Sequence, residues 1–338
     1  MRRCLRRMRN LQKRMKQVRS NREKRKRHAL LKRIIKISLT ASILLFLAVF
    51  FAFVPFRLML PAYKIAKRGE GELRLHFLNI EGGVTIVEFP DGEALVINAG
   101  GGTFQDDNTL CRYLRALDIT SLSVLATSSD TAHIGGMPAL FEVFSIETAY
   151  LPATASDASA FSRFTSAMQK EGCRTERFIR RGVIENSSGA YAVCLSPYAS
   201  EAENGTGADL STVLYLSYAG VNAVLEGDVT QRRERQLVKD YELSTSIFDS
   251  GGHQVRLDKT QILLAPSHGA DSGSAENWLS LLSPAATIIC CNQNERPSGG
   301  ALERIAQHSE NIYRTDELGA IMITIKKGGF EIQPHVLG

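Results

Sequence analysis

An uncharged apolar run near the amino terminus constrains this chain more than any other feature of its sequence. Residues 37–56 contain no charged side chain and are mostly Ile, Leu, Val, Ala and Phe. A helix of about 20 such residues spans the roughly 30 Å hydrocarbon core of a membrane. The run is longer than the apolar core of a signal peptide, and no small-residue cleavage site follows it. It predicts an uncleaved transmembrane helix. A buried core helix is less favoured because the run has no polar face.

Charge is distributed unevenly on the two sides of this run. Residues 1–36 hold 17 of the 41 Lys and Arg residues and only one acid, Glu23, which leaves 24 basic and 34 acidic residues in the rest of the chain. Basic flanks of membrane helices stay in the cytoplasm. We therefore expect a single-pass protein of the cell membrane, with a cytoplasmic basic tail (1–36), a transmembrane helix (37–56), a tether (57–71) and a large extracytoplasmic domain (72–338).

The basic tail has three possible roles. Anionic lipid of the inner leaflet is the preferred partner, because clustered Lys and Arg beside a membrane helix are attracted to such headgroups. Nucleic acid is the second possibility. The third is a solvated orientation signal without any partner.

The residues after the tether have the pattern of a mixed α/β domain. With 44% hydrophobic and 22% charged residues, the composition is globular. Short apolar runs separated by Gly, Asp and Pro predict strands, and longer amphipathic stretches predict helices. The predicted strands are Leu73–Ile80, Val84–Phe89, Ala94–Ile97 and Leu122–Ala126. The predicted helices are Leu110–Leu117, Met137–Phe144 and the polar segment Ala153–Arg181, and Ser200–Asp209 is predicted to be a loop.

Six cysteines give little evidence of a disulfide framework. Five of them follow the apolar run, an odd number at scattered positions. Cys173 with Cys194 is the pair worth testing. Cys290 and Cys291 are adjacent and follow an apolar run, so we expect them on opposite faces of a strand.

The segment Thr127–Gly136 carries the strongest motif, Thr-Ser-Ser-Asp-Thr-Ala-His-Ile-Gly-Gly. It resembles the metal-binding loop Thr-His-x-Asp-x-Asp-His-x-Gly-Gly of the metallo-β-lactamase superfamily, in the version found in ComEC-type DNA-uptake proteins. Ser128 and Ala132 stand where that loop has metal ligands. The resemblance therefore covers the spacing of the loop but not all of its chemistry.

Five further segments are similar to motifs of the same family and keep their order along the chain. They are Leu73–Gly83 and Ala94–Gly101, in which Asn79 and Asn98 replace Asp, then Leu210–Val229 with Asp228 retained, Ala265–Gly269, and Ile312–Ile321, which is close to the family's terminal element with one extra residue. The resemblance implies the αββα sandwich of the superfamily, in which two β-sheets lie face to face between helices.

The resemblance also implies a set of metal-ligand positions, and several of them hold unsuitable residues. Hydrolysis by two metal ions needs His and carboxylate side chains around both ions. Ala132 has no donor atom, Ser128 offers only a hydroxyl, and Asn98 replaces an acid that supports the loop. The candidate metal ligands that remain are Asp130, His133, Asp228 and His268. We expect no ion or one weakly held divalent ion, zinc or manganese.

Two functions are compatible with this pattern. The first is a pseudoenzyme with a binding or scaffolding role at the cell envelope, where an envelope component or nucleic acid would be the partner. Nucleic acid would require a local basic patch, such as Arg174, Arg177, Arg180 and Arg181. The alternative is a mononuclear metal-dependent hydrolase of the phosphodiesterase or nuclease type, with Asp130 and His133 as catalytic residues.

The candidate ligands also have ordinary structural explanations. Asp130 and Asp228 could cap helices. His133 could be a buried, hydrogen-bonded histidine, and His268 could be a turn residue. No Gly-x-Ser-x-Gly elbow is present, so the sequence does not favour a serine hydrolase.

Overall fold

The protein forms two compact units, Met1–Met59 and Leu60–Gly338. The computed structural model describes residues 2–53, 62–202 and 207–335. The end of the predicted transmembrane run, 54–56, and the start of the predicted tether, 57–61, lie outside the described residues. Each unit is described by itself.

The first unit contains one continuous helix, α1, from Arg2 to Phe53. Its stretch Leu30–Phe50 has 21 residues with a mean hydropathy of 2.0 and is not buried inside the protein. By length and composition this stretch is able to cross a membrane. It begins before the predicted start at Ile37, because Leu30, Leu31, Ile34 and Ile35 extend the apolar surface across three interspersed bases. The orientation of the helix and the predicted boundaries at 36, 56 and 71 stay predictions.

The second unit is built on two β-sheets. The first sheet has eight strands in the order β15-β14-β1-β2-β3-β4-β5-β6, and the second has seven in the order β13-β12-β11-β10-β9-β8-β7. The strands of the first sheet are β1 (Leu73–Leu78), β2 (Val84–Glu88), β3 (Ala94–Ile97), β4 (Ser121–Leu125), β5 (Ser145–Leu151), β6 (Arg174–Arg177), β14 (Ala320–Lys326) and β15 (Gly329–His335). The strands of the second sheet are β7 (Val183–Glu185), β8 (Tyr191–Ser196), β9 (Val213–Tyr218), β10 (Val221–Glu226), β11 (Ile262–Leu264), β12 (Ala286–Ile289) and β13 (Asn311–Arg314).

Helices cover the outer face of each sheet. The helices of this unit are α2 (Phe104–Ala116), α3 (Thr131–Ile134), α4 (Met137–Val143), α5 (Ser159–Glu171), α6 (Ala199–Ala202), α7 (Gln231–Leu243), α8 (Glu276–Leu282), α9 (Gly299–His308) and α10 (Thr315–Leu318). Four short 3-10 turns accompany them at Ala208–Leu210, Thr245–Phe248, Leu257–Lys259 and Pro266–Gly269.

Three apolar cores hold these layers together. One lies between the sheets and includes Phe77 and Leu225. The second packs α2, α4 and α5 on the first sheet. The third packs α7, α8 and α9 on the second sheet around Trp278. The order helix, sheet, sheet, helix confirms the αββα sandwich, and central strands such as β3 and β9 alternate their side chains between two cores.

The predicted strands and the helix Met137–Phe144 are confirmed within two residues at each end, whereas the helix predicted from Leu110 begins six residues earlier, at Phe104. The polar segment Ala153–Arg181 is only partly helical, because α5 ends at Glu171. Gly172 adopts a left-handed conformation there (φ 71°), which terminates the helix, and β6 follows as an edge strand. Of the predicted loop Ser200–Asp209, α6 and a 3-10 turn occupy the described ends, and 203–206 lie outside the described residues.

The candidate disulfide between Cys173 and Cys194 is absent, since both residues are free thiols. Cys194 is fully buried in the second sheet, where its thiol donates to the Ser196 carbonyl, whereas Cys173 packs with the helices on the first sheet. Cys290 and Cys291 do face opposite sides, the inter-sheet core and the outer core respectively, immediately after β12 ends.

The described part of the predicted tether belongs to the second unit and packs against its strands and helices. Residues 62–68 form neither helix nor strand, yet the Arg74 guanidinium donates to the carbonyls of Ala66 and Lys67 at 2.8 and 3.0 Å. Tyr63 also lies under the Arg112 guanidinium, 4.1 Å from the ring centroid. The chain is therefore fixed to the domain before β1 begins.

Candidate metal centre

The candidate site lies where strands of both sheets end at one edge of the sandwich. In the first sheet, β3 and β4 are parallel, so the segments that follow them, which contain Asn98 and His133, leave the sheet at the same edge. In the second sheet, β10 and β11 are parallel, and their carboxyl ends lead to Asp228 and His268. Crevices at the carboxyl ends of parallel strands are common ligand sites.

Three of the four predicted ligands converge at this edge. His133 Nε2 lies 3.3 Å from Asp228 Oδ2, and His268 Nε2 lies 3.9 Å from Asp228 Oδ1. The three donor atoms are all within 4.8 Å of one another. The two imidazole rings are nearly parallel, with centroids 6.3 Å apart and an interplanar angle of 28°. One carboxylate and two imidazoles thus surround a single point.

The fourth predicted ligand, Asp130, is not part of this group. Its side chain is exposed, and its nearest contact is the Ser128 hydroxyl, which lies 3.4 Å from Asp130 Oδ2. Asp130 is the residue before α3, as a cap would be, but its side chain makes no capping hydrogen bond. Asp228 does not cap the next helix either, because Thr230 does so.

Neighbouring groups fix the tautomer of His268. The His268 Nδ1 atom lies 2.8 Å from the Cys290 carbonyl oxygen. A carbonyl only accepts, so Nδ1 carries the hydrogen and Nε2 is free to bind a cation. Ser267 and His268 both have left-handed backbone conformations, with φ of 49° and 56°. This turn directs the imidazole back into the site.

His133 is held from both sides. Its Nδ1 atom lies 2.7 Å from the Ser128 hydroxyl, and Asp228 faces its Nε2 atom. The ring is almost completely buried. Burial lowers the pKa of His133 below its ordinary value, and the nearby Asp228 carboxylate opposes this shift only in part. A neutral imidazole is the form that binds metal ions.

Asp228 is positioned by a hydroxyl from the preceding strand pair. Its backbone N–H donates to Ser211 Oγ at 2.9 Å. The adjacent Gly227 lies so close to this hydroxyl that a Cβ would fall 2.1 Å from Ser211 Oγ. The Gly227-Asp228 turn therefore requires a glycine, as in the family motif that it resembles.

Asn98 keeps one role of the acid that it replaces. Its Oδ1 atom accepts hydrogen bonds from the Thr127 N–H and the Thr127 hydroxyl, both at 3.0 Å. Its φ of 59° lies in the left-handed region, which Asn tolerates better than most residues. Asn98 thus anchors the start of the loop Thr127–Gly136 without adding a negative charge.

Glycines bring the surrounding loops into contact with the motif. A Cβ on Gly82 would lie 1.9 Å from the Ala132 carbonyl oxygen, and one on Gly135 would lie 2.2 Å from the Gly101 carbonyl oxygen. The Gly82 N–H donates to Glu295 at 3.3 Å. The loop Thr127–Gly136 is therefore held by close backbone packing, with Ser128 and Ala132 at the positions that are metal ligands in the motif it resembles.

Two cavities meet at Asp228. The first has a volume of about 30 Å³, lies between the sheets and is bordered by His133 and His268. That volume suffices for one or two water molecules. The second has a volume of about 170 Å³ and is bordered by Ser128, Asp130 and Ser211. The larger cavity therefore lies on the side of the site where Ser128 replaces a histidine.

The three converging donors fit a single divalent cation. Metal–ligand bonds of about 2.0–2.1 Å in a tetrahedron place donor atoms about 3.3 Å apart. The contact between His133 and Asp228 already has this separation, and that between His268 and Asp228 is wider by about half an ångström. Two imidazoles and one carboxylate suit zinc, and the same set is used for other divalent ions.

Comparisons with known proteins concern the fold. No protein-family model and no curated protein matches the sequence. Among solved structures, the chain is similar to the metallo-β-lactamase fold protein YhfI from Bacillus subtilis, with 9% identity and a TM-score of 0.47 over 77% of this chain and 100% of that one. It is also similar to CmlA, a diiron β-hydroxylase from Streptomyces venezuelae, with 9% identity and a TM-score of 0.48 over 77% of this chain and 55% of that one. A third similar structure is Zn²⁺-bound PqqB from Methylobacterium extorquens, with 13% identity and a TM-score of 0.40 over 73% of this chain and 86% of that one.

Several site contacts were missed by sequence reasoning. The Ser128 hydroxyl was counted only as a poor metal ligand, although it lies within hydrogen-bond distance of His133. The Cys290 carbonyl that orients His268 and the Glu295 carboxylate that accepts from Gly82 carried no motif signal. Only Ser211 could have been found, because it lies in a segment that resembles a family motif.

Proposed function

We propose that this chain is a membrane-anchored protein of the metallo-β-lactamase fold that binds one divalent metal ion and has lost two-metal hydrolysis. In this proposal its site serves binding or scaffolding at the cell envelope. The order and spacing of its motifs support an origin in the ComEC-type branch of the superfamily.

The observation that carries the proposal is the convergence of His133, Asp228 and His268, with no second group of metal donors among the residues that the structure describes. Asp130 lies outside the group of converging donors, Ala132 has a methyl group, and Ser128 is within hydrogen-bond distance of His133. Since two-metal hydrolysis requires several ligands for each ion, this donor set supports one ion at most.

Three side chains would bind that ion. His133 and His268 present their Nε2 atoms, and Asp228 presents its carboxylate from the turn fixed by Ser211. A bound divalent ion would supply Lewis acidity to a ligand oxygen atom. The Cys290 carbonyl would keep the His268 ring oriented during binding.

The proposed location at the cell membrane is supported by α1. Its exposed apolar stretch is long enough to span a membrane, and 17 basic residues precede residue 37. By the distribution of Lys and Arg, the amino terminus is cytoplasmic and the sandwich domain extracytoplasmic.

An uncharged or cationic envelope component is a better partner for the domain than nucleic acid. Acids outnumber bases by 34 to 24 after residue 36, and an acidic surface repels phosphates. Three of the four arginines in the candidate patch also have partners already. Arg177 donates to the Ala153 carbonyl, Arg180 pairs with Asp240 at 2.9 Å, and Arg174 pairs with Glu176. Few of these charges remain available for a phosphate backbone.

A mononuclear hydrolase is the second candidate. The observation in its favour is the 170 Å³ cavity beside Asp228, which gives a substrate access to one side of the three donors. Catalytic zinc sites likewise have three protein ligands and one open position.

Metal analysis of the full-length protein in detergent tests the proposal. The protein is stripped with a chelator and dialysed against zinc or manganese, and its metal content and its turnover of bis-p-nitrophenyl phosphate are measured. We expect about one ion per chain and no turnover above the buffer rate. Turnover that requires the ion and disappears in His133→Ala would establish the hydrolase instead.

Two variants provide matched controls. His268→Ala removes a converging donor and should abolish binding, whereas Asp130→Ala removes a predicted ligand that lies outside the group and should retain it. His253→Ala removes a partly exposed imidazole that pairs with Glu185 outside the site, and this variant should bind metal like the unchanged protein. Equal metal loss in Asp130→Ala and His268→Ala would contradict the proposed donor set.

A further inference from the structure

The replacement of a metal ligand by Ser128 creates a second constellation in the same site. Ser128 Oγ lies 2.7 Å from His133 Nδ1, and His133 Nε2 lies 3.3 Å from Asp228 Oδ2. A hydroxyl, an imidazole and a carboxylate in contact in this order are the parts of a nucleophile activated by a base, with the base held by a third group.

We propose that Ser128 is the nucleophile of a metal-independent acyl transfer, with His133 as the general base and Asp228 as the residue that positions it. The order of contact is that of a serine hydrolase, although the two ring nitrogens have exchanged partners relative to the usual triad. No nucleophile elbow is needed, because the loop Thr127–Gly136 places the hydroxyl next to the base.

The Asp228 carboxylate, 3.3 Å from His133 Nε2, favours the tautomer that this activity requires. A carboxylate only accepts, so in the absence of a cation the proton of His133 resides on Nε2, facing Asp228. Nδ1 then has a free lone pair directed at Ser128. The Asp130 N–H donates to Ser128 Oγ at 3.2 Å, and the hydroxyl hydrogen goes to Nδ1 at 2.7 Å rather than to the Asp130 carboxylate at 3.4 Å.

Ser128 is accessible, whereas its base is shielded. Ser128 is partly exposed and borders the 170 Å³ cavity, while His133 is 2% exposed. Among the described residues, no Lys or Arg borders that cavity, and Asp130 contributes a carboxylate to it. The cavity therefore suits a small acyl ester that is neutral or cationic, and it disfavours anionic substrates.

The reaction is balanced without any further reagent. A lone pair of Ser128 Oγ forms the bond to the ester carbonyl carbon, the C=O π pair moves to the carbonyl oxygen, and the hydroxyl proton passes to His133 Nδ1. Collapse of the tetrahedral intermediate breaks the bond to the alcohol, which leaves with that proton. Water then attacks the acyl-serine with the same base, and the acid product and free Ser128 result.

This activity and metal binding compete for the same atoms. A cation held by His133 Nε2 and Asp228 displaces the ring proton to Nδ1, which then donates to Ser128 and cannot accept its hydrogen. Zinc is therefore expected to inhibit Ser128. This inference does not depend on the proposed metal-binding function, because it concerns the metal-free protein.

A fluorophosphonate probe tests the nucleophile directly. The full-length protein in detergent is treated with a chelator, incubated with the probe and digested, and the adduct is located by mass spectrometry. We expect one adduct per chain, at Ser128, and hydrolysis of p-nitrophenyl acetate at a rate that falls at least 100-fold in His133→Gln. Ser280→Ala, an exposed serine on α8, should react like the unchanged protein.

Ser128→Ala should abolish labelling, and Ser128→Cys is its control for misfolding because it retains a nucleophile. The thiol of Ser128→Cys should react with iodoacetamide at a rate that depends on His133. No adduct at Ser128 in the metal-free protein, or an adduct whose rate is unchanged in His133→Gln, overturns the inference. Addition of zinc separates the two proposals. If zinc does not bind and labelling is unchanged, Ser128 is a nucleophile and the proposed metal site is refuted. If zinc binds and the stripped protein is not labelled, the metal site stands and the proposed nucleophile is refuted.

Discussion

A pair of buried acids makes the stability of the domain depend on pH. Glu226 and Glu234 lie between the second sheet and its helices, and their exposed fractions are 5% and 0%. Glu234 accepts the N–H groups of Ser274 and Ala275 at 3.0 and 2.8 Å. Glu226 has no hydrogen-bond partner of normal geometry among the described residues, although the Trp278 indole N–H is close. Burial raises the pKa of Glu234 to about 7, and burial together with the charge of Glu234 raises that of Glu226 further above its ordinary value.

The change from Glu234 to Gln separates the effect of this charge from that of the hydrogen bonds. Because the pKa of Glu234 rises from 4.5 in the unfolded chain to about 7 in the folded one, the folded state binds more protons between these values. The contribution of Glu234 to the free energy of unfolding is therefore fully present below pH 4.5. It is lost as pH rises through 7, which lowers the free energy of unfolding by about 3 kcal/mol. Gln cannot ionise, but it has one acceptor for two N–H donors, which costs about 1 kcal/mol.

The two effects predict that the stability curves cross. At pH 4, Glu234→Gln should be about 1 kcal/mol less stable than the unchanged protein, near pH 5 the two should be about equally stable, and at pH 8 the variant should be about 2 kcal/mol more stable. Urea unfolding followed by tryptophan fluorescence measures this, since Trp278 is the single tryptophan of the chain and lies fully buried beside the acids. Glu242→Gln, at an exposed position on α7, should follow the unchanged protein at every pH. A difference between Glu234→Gln and the unchanged protein that is constant from pH 5 to pH 8 would refute the reasoning.

Three further predictions concern residues that form or support the candidate metal site. Gly82→Ala should lower metal affinity at least 10-fold, because its Cβ would collide with the Ala132 carbonyl, and isothermal titration with zinc measures this; Gly299→Ala, where a Cβ meets nothing within 4 Å, should have no effect. Ser128→His combined with Ala132→Asp should raise the metal content from one ion to two, and an unchanged content would contradict the assignment of these positions. Ser211→Ala should destabilise the domain by about 1–2 kcal/mol in urea unfolding, because the Asp228 N–H loses its acceptor, and preserved stability would show that water replaces the hydroxyl.

The resemblance of the sequence motifs implied the sandwich, and, along with Asp130, it singled out the three site residues that the structure brings together. Apolar alternation located β1 to β4, and the motif spacing placed His133, Asp228 and His268 after strands of the two sheets. Such predictions succeed because strand ends and parallel pairing fix where the residues that follow them lie. The segment after Ala153 was harder, because only Gly172 separates its helix from an edge strand of similar polarity.

Contacts between residues distant in sequence could not be predicted in this way. Glu226 and Glu234 belong to a strand and to the helix packed on it, and a polar residue inside an apolar run does not reveal its partner. The separation of Asp130 from the other ligands depends on which way the loop directs a single side chain. The contact between Ser128 and His133 likewise follows from the turn that precedes α3 rather than from residue types alone.

Metal binding should stabilise the whole sandwich, because its donors come from both sheets. His133 follows β4 of the first sheet, whereas Asp228 and His268 follow β10 and β11 of the second. The unfolded chain does not hold these residues together, so binding is linked to folding. Free zinc at 100 times its dissociation constant should raise the free energy of unfolding by about 2.7 kcal/mol, measured by the same Trp278 fluorescence.

Variants separate this linkage from adventitious binding at the surface. His268→Ala should remove the stabilisation by zinc, and Asp130→Ala should retain it, since Asp130 lies outside the converging donors. Zinc that stabilises both variants equally must bind elsewhere, and the site between the sheets would then not be the metal centre. Stabilisation that is lost in both His133→Ala and His268→Ala, which remove donors from different sheets, requires the two sheets to be joined through the cation, which is the arrangement that the donor distances describe.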